Sequence, residues 1–538
     1  MPTLPDKYAY LLPTSLWYKL RLLIGYGGLL FSLWGLSRFF FAYPLITVPF
    51  VGMYLYLLVF LSIATWIGLS YRPFDRVNHW RWRRELQSSD LRPSVDVFLP
   101  VCGEPLETLS RTWQAVSELD YPNYRVYVLD DAHDPRVAAL ARIYEFEYFA
   151  RPDRGHLKKA GNLRHAFART SGECFTIFDA DFAPRPDYLW DLLPYLVRDT
   201  RVAIAQSPQA FDYSETTYET APLAYAASLI QEDFYRRTEV GLDTHNATVC
   251  VGSNAVYRRS ALQLVDGTVP IEHSEDLHTG FAMVSSGYKV KYIPLQLAFG
   301  GVPAELGAWV RQQIRWCQGS LALVPMRKFW AAKINPATKI AYLSGWLYYH
   351  SSFVTILSPY LTYVLFWKNI TITPWVALFY IPVILTNFVF FPRFRTRAFR
   401  PALLYVYWLL TYIHIFTIWG HLTKATRAWV PTAAKHAPKT EQRRVLDLVS
   451  LNLVTHAGLL LPLLMLGRID FGNPTTLLVF GWLALELVKP TLILVYTWFR
   501  LEKILPERYT GWLWSPGFWE LSFGVSLGVV LGASLLLN

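Results

Sequence analysis

Four short polar clusters in the middle of the chain have residue types and spacings suited to chemistry on a charged substrate. Asp179-Ala180-Asp181 follows the apolar run at 174–178. Two carboxylates one residue apart at the end of a buried strand can reach one divalent cation, and Mg2+ or Mn2+ with oxygen ligands commonly bridges phosphates. A plain turn or helix cap would use the same pair. Lys158 and Lys159, in HLKKAGN, set a point charge beside small residues that let a diphosphate approach the backbone. A solvated basic turn reads the same way. Ser274-Glu275-Asp276 offers a carboxylate that can take a proton from an acceptor hydroxyl, or an acidic helix start favoured by the helix dipole. Gln312-Gln313-Ile314-Arg315-Trp316 lies in an amphipathic stretch at 305–324. On a helix Gln312, Arg315 and Trp316 share a face: a cation for a diphosphate leaving group and an indole for a sugar ring, or else a basic helix lying on a membrane.

These clusters need elements to hold them. Residues 95–100 (VDVFLP), 125–129 (RVYVL), 148–150 and 174–178 (CFTIF) read as short strands. Residues 108–119, 136–146 and 161–170 have helical spacing. This alternation predicts a parallel sheet with helices on both faces. Ligands bind such sheets at the carboxyl ends of the strands, and Asp130-Asp131 and Asp179-Ala180-Asp181 stand at two of those ends.

The chain has 538 residues, is 53% hydrophobic and 16% aromatic, and carries a net charge of +11. Mean hydropathy is +0.22, higher than that of an ordinary soluble protein. Apolar residues are concentrated at both ends. A bilayer core of roughly 30 Å takes about 20 apolar residues as helix. Segments 22–43 and 45–69 qualify as a hairpin with basic flanks, which puts residues 71 to about 336 in the cytosol by the positive-inside rule. Segments 340–367, 375–391, 451–466, 475–499 and 518–537 also qualify. Residues 401–422 are equally apolar but cationic at both flanks, so they are expected to lie in the cytosolic interface. About seven spans result. The cations flank apolar runs, which argues against a nucleic-acid partner. Cys102, Cys174, Cys250 and Cys317 form no CxxC pair and suggest reduced thiols in place of a zinc or disulfide framework.

Taken in order, DD (130–131), KAGN (159–162), DAD (179–181), VGSN (251–254), SED (274–276) and QQIRW (312–316) resemble the signature of the cellulose synthase-like branch of family-2 glycosyltransferases. That branch includes the cellulose, curdlan, chitin and hyaluronan synthases. The resemblance covers roughly residues 95–330 and the flanking membrane architecture. It implies an α/β GT-A fold, a Rossmann-like mixed sheet, inserted as a cytosolic domain between transmembrane α-helices. The implied organisation is a hairpin at 1–70, a catalytic domain at 71–302, amphipathic interfacial helices at 303–336, and a channel region at 337–538 that contains the interfacial helix and a gating-like loop at 423–445.

The implied site residues follow the motifs. Asp130 and Asp131 would contact the nucleoside, and Pro100 and Glu104 resemble the turn that holds uracil, with Gly103 where the family has Asn. Lys159 would meet the diphosphate. Asp179 and Asp181 would hold Mg2+ or Mn2+. Cys250, Gly252 and Ser253 resemble the loop beside the acceptor sugar, with Val251 inserted after the cysteine, and Glu275 would sit there too. Asp276 matches the catalytic base, with Ser274 in place of Thr. Gln312 and Arg315 would bind the donor and Trp316 the acceptor. Trp429 and Thr432 stand where the gating loop would be. The implied activity is processive, inverting polymerisation of UDP-glucose into a β-glucan, carried across the plasma membrane. Implied partners are the UDP-sugar, the growing glycan, membrane lipids and accessory export subunits. UDP-N-acetylglucosamine as donor, single transfer to a lipid carrier, and an inactive transporter or scaffold are the competing readings.

Overall fold

The computed structural model describes residues 5–12, 16–211, 220–303, 305–368, 401–424 and 440–498. The expected spans at 375–391 and 518–537, and the gating-like residues Trp429 and Thr432, lie outside the described residues.

Two long helices open the chain, α1 (Leu16–Ala42) and α2 (Pro44–Leu69), folded back on each other through Tyr43. The short amphipathic α3 (Arg76–Ser88), capped by the Asp75 carboxylate on Asn78 N, then leads into the soluble domain. There the expected alternation is realised: β1 (Val95–Val101), α4 (Leu106–Ser117), β2 (Tyr124–Asp130), α5 (Pro135–Ile143), β3 (Glu147–Phe149), α6 (Lys158–Phe167), β4 (Cys174–Ile177), β5 (Phe182–Pro184), α7 (Tyr188–Arg198), β6 (Val202–Gln206) and β7 (Ala210–Phe211). After α8 (Pro222–Asp233), a π-helical turn and α9 (Glu239–Asp243) come β8 (Ala255–Arg258), α10 (Arg259–Leu262), α11 (Glu275–Ser285), β9 (Lys289–Tyr292) and β10 (Ala298–Gly300).

The main sheet has seven strands in the order β3-β2-β1-β4-β8-β6-β9. β1 reads as an almost continuous apolar run because helices cover both of its faces. Trp113, Leu109 and Val116 of α4 and Leu189, Leu192 and Leu193 of α7 fill one layer. Leu163 of α6, Leu262 of α10 and Leu277 and Phe281 of α11 fill the other.

The parallel sheet expected from the alternation holds for β3, β2, β1 and β4 and fails at β8, which runs antiparallel to β4 and β6. The cause is local. The loop at 250–254 sits at the carboxyl end of β4, and a chain entering the sheet from there must run back. A second sheet of three strands, β5-β10-β7, begins immediately after Asp181 and ends just before α12 (Leu306–Leu323). It therefore ties the 179–181 motif to the helix that carries Gln312, Arg315 and Trp316.

A short helix, α13 (Arg327–Ala331), leads to α14 (Pro336–Trp367), whose 32 residues run about 48 Å and pack on α2. Three more helices follow: α15 (Pro401–Leu422), α16 (Thr440–Met465) and α17 (Pro474–Tyr496). Among the described residues, four segments are long and apolar enough to cross a membrane, the mark of a membrane protein: Phe50–Leu69, Ala402–Leu422, Thr440–Met465 and Val479–Tyr496. Phe50–Leu69 buries little of its surface in protein, whereas most of Ala402–Leu422 is buried. The latter packs Leu403, Val406, Leu409 and Ile413 against Leu223 of α8 and Trp309, Val310 and Ile314 of α12.

Candidate active site

Each cluster read from the sequence arrives at the cleft from a different element. β1 delivers Pro100, after which the chain turns through Gly103 at φ +88°. The Glu104 carboxylate folds back to accept the Cys102 N–H at 2.6 Å. Burial raises the Glu104 carboxyl, two backbone N–H groups oppose this, and the charges of Asp179 and Asp130 add to it. Burial, then the charge of Glu104, pushes the Cys102 thiol up to about 11.

At the end of β2, Asp130 and Asp131, expected to contact the nucleoside, are also held by bonds within the protein. Asp130 is fully buried, and its oxygens accept the Ala132 and Asp134 N–H groups and the Tyr148 hydroxyl, each at 2.8 Å. Asp131 binds Arg151 in a fork, at 2.7 Å from Nε and 3.0 Å from Nη2. Both carboxylates brace the loop. Arg151, absent from the sequence reading, is itself fully buried. It donates from Nη1 to the His156 carbonyl at 2.6 Å and from Nη2 to the Lys158 carbonyl at 3.2 Å. A buried bidentate pair of this kind orients what it touches, and it touches the turn that presents Lys159.

That turn is tighter than the sequence suggested. The helix expected from 161 begins at Lys158, so KAGN forms its first turn. Leu157 (φ +53°) and Lys158 (φ +48°) both adopt left-handed conformations, a strain that persists only where surrounding contacts impose it. Gly161 is required: a Cβ there would fall 2.1 Å from the His156 carbonyl oxygen and 2.3 Å from Arg151 Nη1.

Lys159 reaches across the cleft to form an ion pair with Asp179 and lies 3.4 Å from the Gly252 carbonyl. Burial opposes its charge, but Asp179, Glu275 and Asp276 outweigh burial and hold the ammonium protonated. The Asp179 N–H donates to Ser253 Oγ at 3.0 Å, so the 251–254 loop braces the 179–181 motif. Asp181 opens onto the cleft. Desolvation by the surrounding walls, followed by the charge of Asp179, pushes its carboxyl up to about 7, and solvent contact moderates the effect. Two carboxylates, one of them strained as an anion, form a donor set that fits a hard divalent cation. Among the described residues no group of three or more His, Cys, Asp or Glu is placed to hold a metal.

Glu275 and Asp276 occupy the first turn of α11. Burial, then the neighbouring Asp276 charge, pushes Glu275 up to about 7. Burial also raises Asp276, against the pull of Lys159 and the Leu277 N–H, which it accepts at 2.8 Å. Gly252, at φ +73°, lies against Asp276: an added Cβ would meet Asp276 Cβ and Oδ2 at 2.8 Å each.

Cys250, expected beside the acceptor sugar, lies in the core. Its side chain is buried among Tyr257, Leu277 and Phe281, with Sγ 3.5 Å from the Tyr257 hydroxyl, and burial pushes the thiol up to about 12. It packs the floor beneath the loop.

α12 completes the site. Arg315 lies within the field of Asp179, Glu275 and Glu441. Burial and then the nearby Arg311 still lower its affinity for its proton. Gln312 and Trp316 are half-buried on the same helix. Arg311, also missed from the sequence, is buried one turn before Arg315, and its Nε has no hydrogen-bond partner among the described residues. Its only sequence signal was its i, i+4 spacing from Arg315.

Residues 96–265 match the family model "Glycosyl transferase family 2". The chain is 30% identical over 283 residues to cellulose synthase 1 of Komagataeibacter xylinus, covering 52% of this chain and 18% of that protein. It is 33% identical over 237 residues to the cellulose synthase catalytic subunit [UDP-forming] of Xanthomonas axonopodis pv. citri (strain 306), covering 43% of this chain and 32% of that protein. Among solved structures, the Pyrobaculum calidifontis mannosyltransferase PcManGT, in complex with GDP-Man and Mn2+, superposes with a TM-score of 0.47 at 18% identity, over 68% of this chain and 99% of that one. Residues 96–265, with their ordered motifs and mixed sheet, are thus similar to family-2 glycosyltransferases and to cellulose synthases, and the chain spans about a third or less of the length of the curated relatives it matches.

Proposed function

We propose that this chain is a processive, inverting glycosyltransferase that polymerises UDP-glucose into a β-glucan and passes the product through its own membrane region. The observation that carries the proposal is the convergence of Lys159, Asp179, Glu275, Asp276 and Arg315 in one cleft, from four separate segments, each felt electrostatically by others. A cleft that brings two cations and a carboxylate base together suits transfer from a nucleoside diphosphate to a hydroxyl.

In this reading a divalent cation, Mg2+ or Mn2+, held by Asp179 and Asp181, offsets diphosphate charge when bound. Lys159 and Arg315, with Gln312 alongside, orient the donor diphosphate. Pro100 and Glu104 line the entry for the nucleobase. Asp276 takes the proton from the acceptor hydroxyl. Attack from the side opposite the leaving diphosphate inverts the anomeric carbon and turns an α-linked donor into a β-linked product. Gly252, Ser253 and Glu275 border the acceptor, and Trp316 offers its indole face to the chain end.

The packing of α12 against α15 supports a direct path from the site into a channel region at 337–538. Domain limits at 71–302 and 303–336, an interfacial α15, a plasma-membrane location with the catalytic domain in the cytosol, lipid contacts and accessory export subunits belong to the same proposal. So does a gating role for Thr432.

The test offers UDP-glucose and UDP-N-acetylglucosamine separately to the purified full chain, with Mg2+ or Mn2+, and digests the labelled product with linkage-specific glucanases. A high-molecular-weight β-glucan from UDP-glucose is expected. Polymer only from UDP-N-acetylglucosamine would replace the donor, and short or lipid-linked product would replace processive synthesis by single transfer.

A further inference from the structure

Helix α11, which carries Asp276, comes close to helix α12 at Gly319. Ser274 occupies the N-cap position of α11 in a left-handed conformation (φ +53°, ψ 43°), and its side chain makes no capping hydrogen bond. It lies instead against Gly319, in the last third of α12. A Cβ on Gly319 would fall 1.8 Å from Ser274 Oγ and 2.3 Å from Ser274 Cβ. One turn along α11, His278 bonds to the Gly319 backbone. Glycine inside a helix costs about 1 kcal/mol relative to alanine, and a side chain other than glycine in the left-handed region is uncommon. Two unfavourable local choices thus meet face to face, and each makes sense only through the other.

Position along α12 gives the contact its meaning. Gly319 is three residues after Trp316 and four after Arg315, so the three share a helix face. On the far side Asp276 is confined by Gly252, where no Cβ has room. The aspartate is held from both directions, by a loop glycine on its side chain and by a helix glycine under the residue two before it.

We infer that Gly319 and Ser274 form a seat that sets the position of Asp276 relative to Arg315 and Trp316, and that Gly319 is a positioning residue for sugar transfer. The inference rests on the proposed transfer at Asp276. Neither residue touches a reacting atom; the seat acts by fixing how closely the base helix approaches the helix that holds donor and acceptor.

The test compares wild type, Gly319→Ala, Ser274→Gly and the double variant in the purified full chain, reading thermal unfolding, turnover per folded molecule and donor KM. Gly319→Ala is expected to lower turnover by roughly 10- to 100-fold, the scale of an ångström-level misplacement of reacting groups, with donor KM little changed. In the Ser274→Gly background the same alanine meets no side chain, so its effect on both unfolding and turnover should largely disappear. An alanine penalty on unfolding equal in the two backgrounds overturns the seat, and this readout needs no activity. A Gly319→Ala protein that unfolds earlier but turns over normally when folded keeps the contact and overturns the positioning role. A wild type that transfers no sugar from any UDP-sugar overturns the proposed function instead, leaving the seat to be decided by the coupling in unfolding.

Discussion

Asp276 and Glu275 are neighbours in sequence with different work to do, and the structure separates them. Asp276 accepts one backbone N–H and lies against Gly252, whereas Glu275 is the more deeply buried of the two. Replacing Asp276 with Asn removes the base but keeps the shape. Polymer formation should fall by about 10²- to 10⁴-fold, with the unfolding temperature unchanged or raised; normal radiolabel incorporation by the variant would remove Asp276 from the mechanism. Glu275 gives a pH-dependent signature. Its folded carboxyl titrates near 7, above the ordinary value of about 4.3, so between those values the folded state keeps a proton that the unfolded state has released. Stability from this group is therefore present at low pH and lost as pH rises through 7. Glu275→Gln should unfold together with wild type near pH 5 and become the more stable protein by pH 8, by up to on the order of 3 kcal/mol. Parallel unfolding curves across that range would show that the carboxyl is not perturbed.

The element that most shapes the donor side is the turn between β3 and α6, and its organiser is the Asp131–Arg151 pair. Arg151 links the end of β2 to the carbonyls of His156 and Lys158, so Asp131 acts on the turn that presents Lys159. Arg151→Met would leave the buried Asp131 carboxylate without its partner. A destabilisation of about 3–5 kcal/mol is expected, measured by denaturant unfolding, with a raised donor KM in the protein that remains folded. Arg151→Lys should recover little, because an ammonium cannot supply the fork. Loss of less than about 1 kcal/mol, the range of a surface pair, would mean that the pair is not organising the turn.

On the scale of the whole molecule, the soluble domain is joined to the membrane helices at several separate places. The segment before α1 folds back on it: Lys7 pairs with Asp187 at 2.8 Å and Asp191 at 2.9 Å, while Arg83 of α3 reaches the same two carboxylates at 3.1 and 2.8 Å. α15 closes over α8 and α12 from the opposite end of the sequence. Whether α15 lies in the interface can be read by labelling single cysteines, at positions 333 and 423 in a cysteine-free background, from one side of sealed membranes. Both residues are exposed. An interfacial α15 predicts that Lys333→Cys and Thr423→Cys react from the same side, and reaction from opposite sides would make α15 a span.

Much of this was legible in the residues themselves. Period and composition marked β1, β2 and β4, because a strand covered on both faces must be apolar throughout, and they marked α12, because its apolar stripe repeats on one face. The order of DD, KAGN, DAD, SED and QQIRW pointed to the chemistry, since reacting groups must be specific residue types. Other features depended on which distant segments come close. Asp131 is satisfied by an arginine 20 residues on, Lys7 by an aspartate 184 residues on, and Gly319 by the serine before α11. β8 turned antiparallel because of where its preceding loop ended, and Cys250 went into the core because the loop's glycine took the place beside Asp276. A sequence carries local preference and residue chemistry. Close approach between remote segments is decided only when the core packs, because whether a side chain is a ligand, a brace or an obstacle depends on the atoms that arrive beside it.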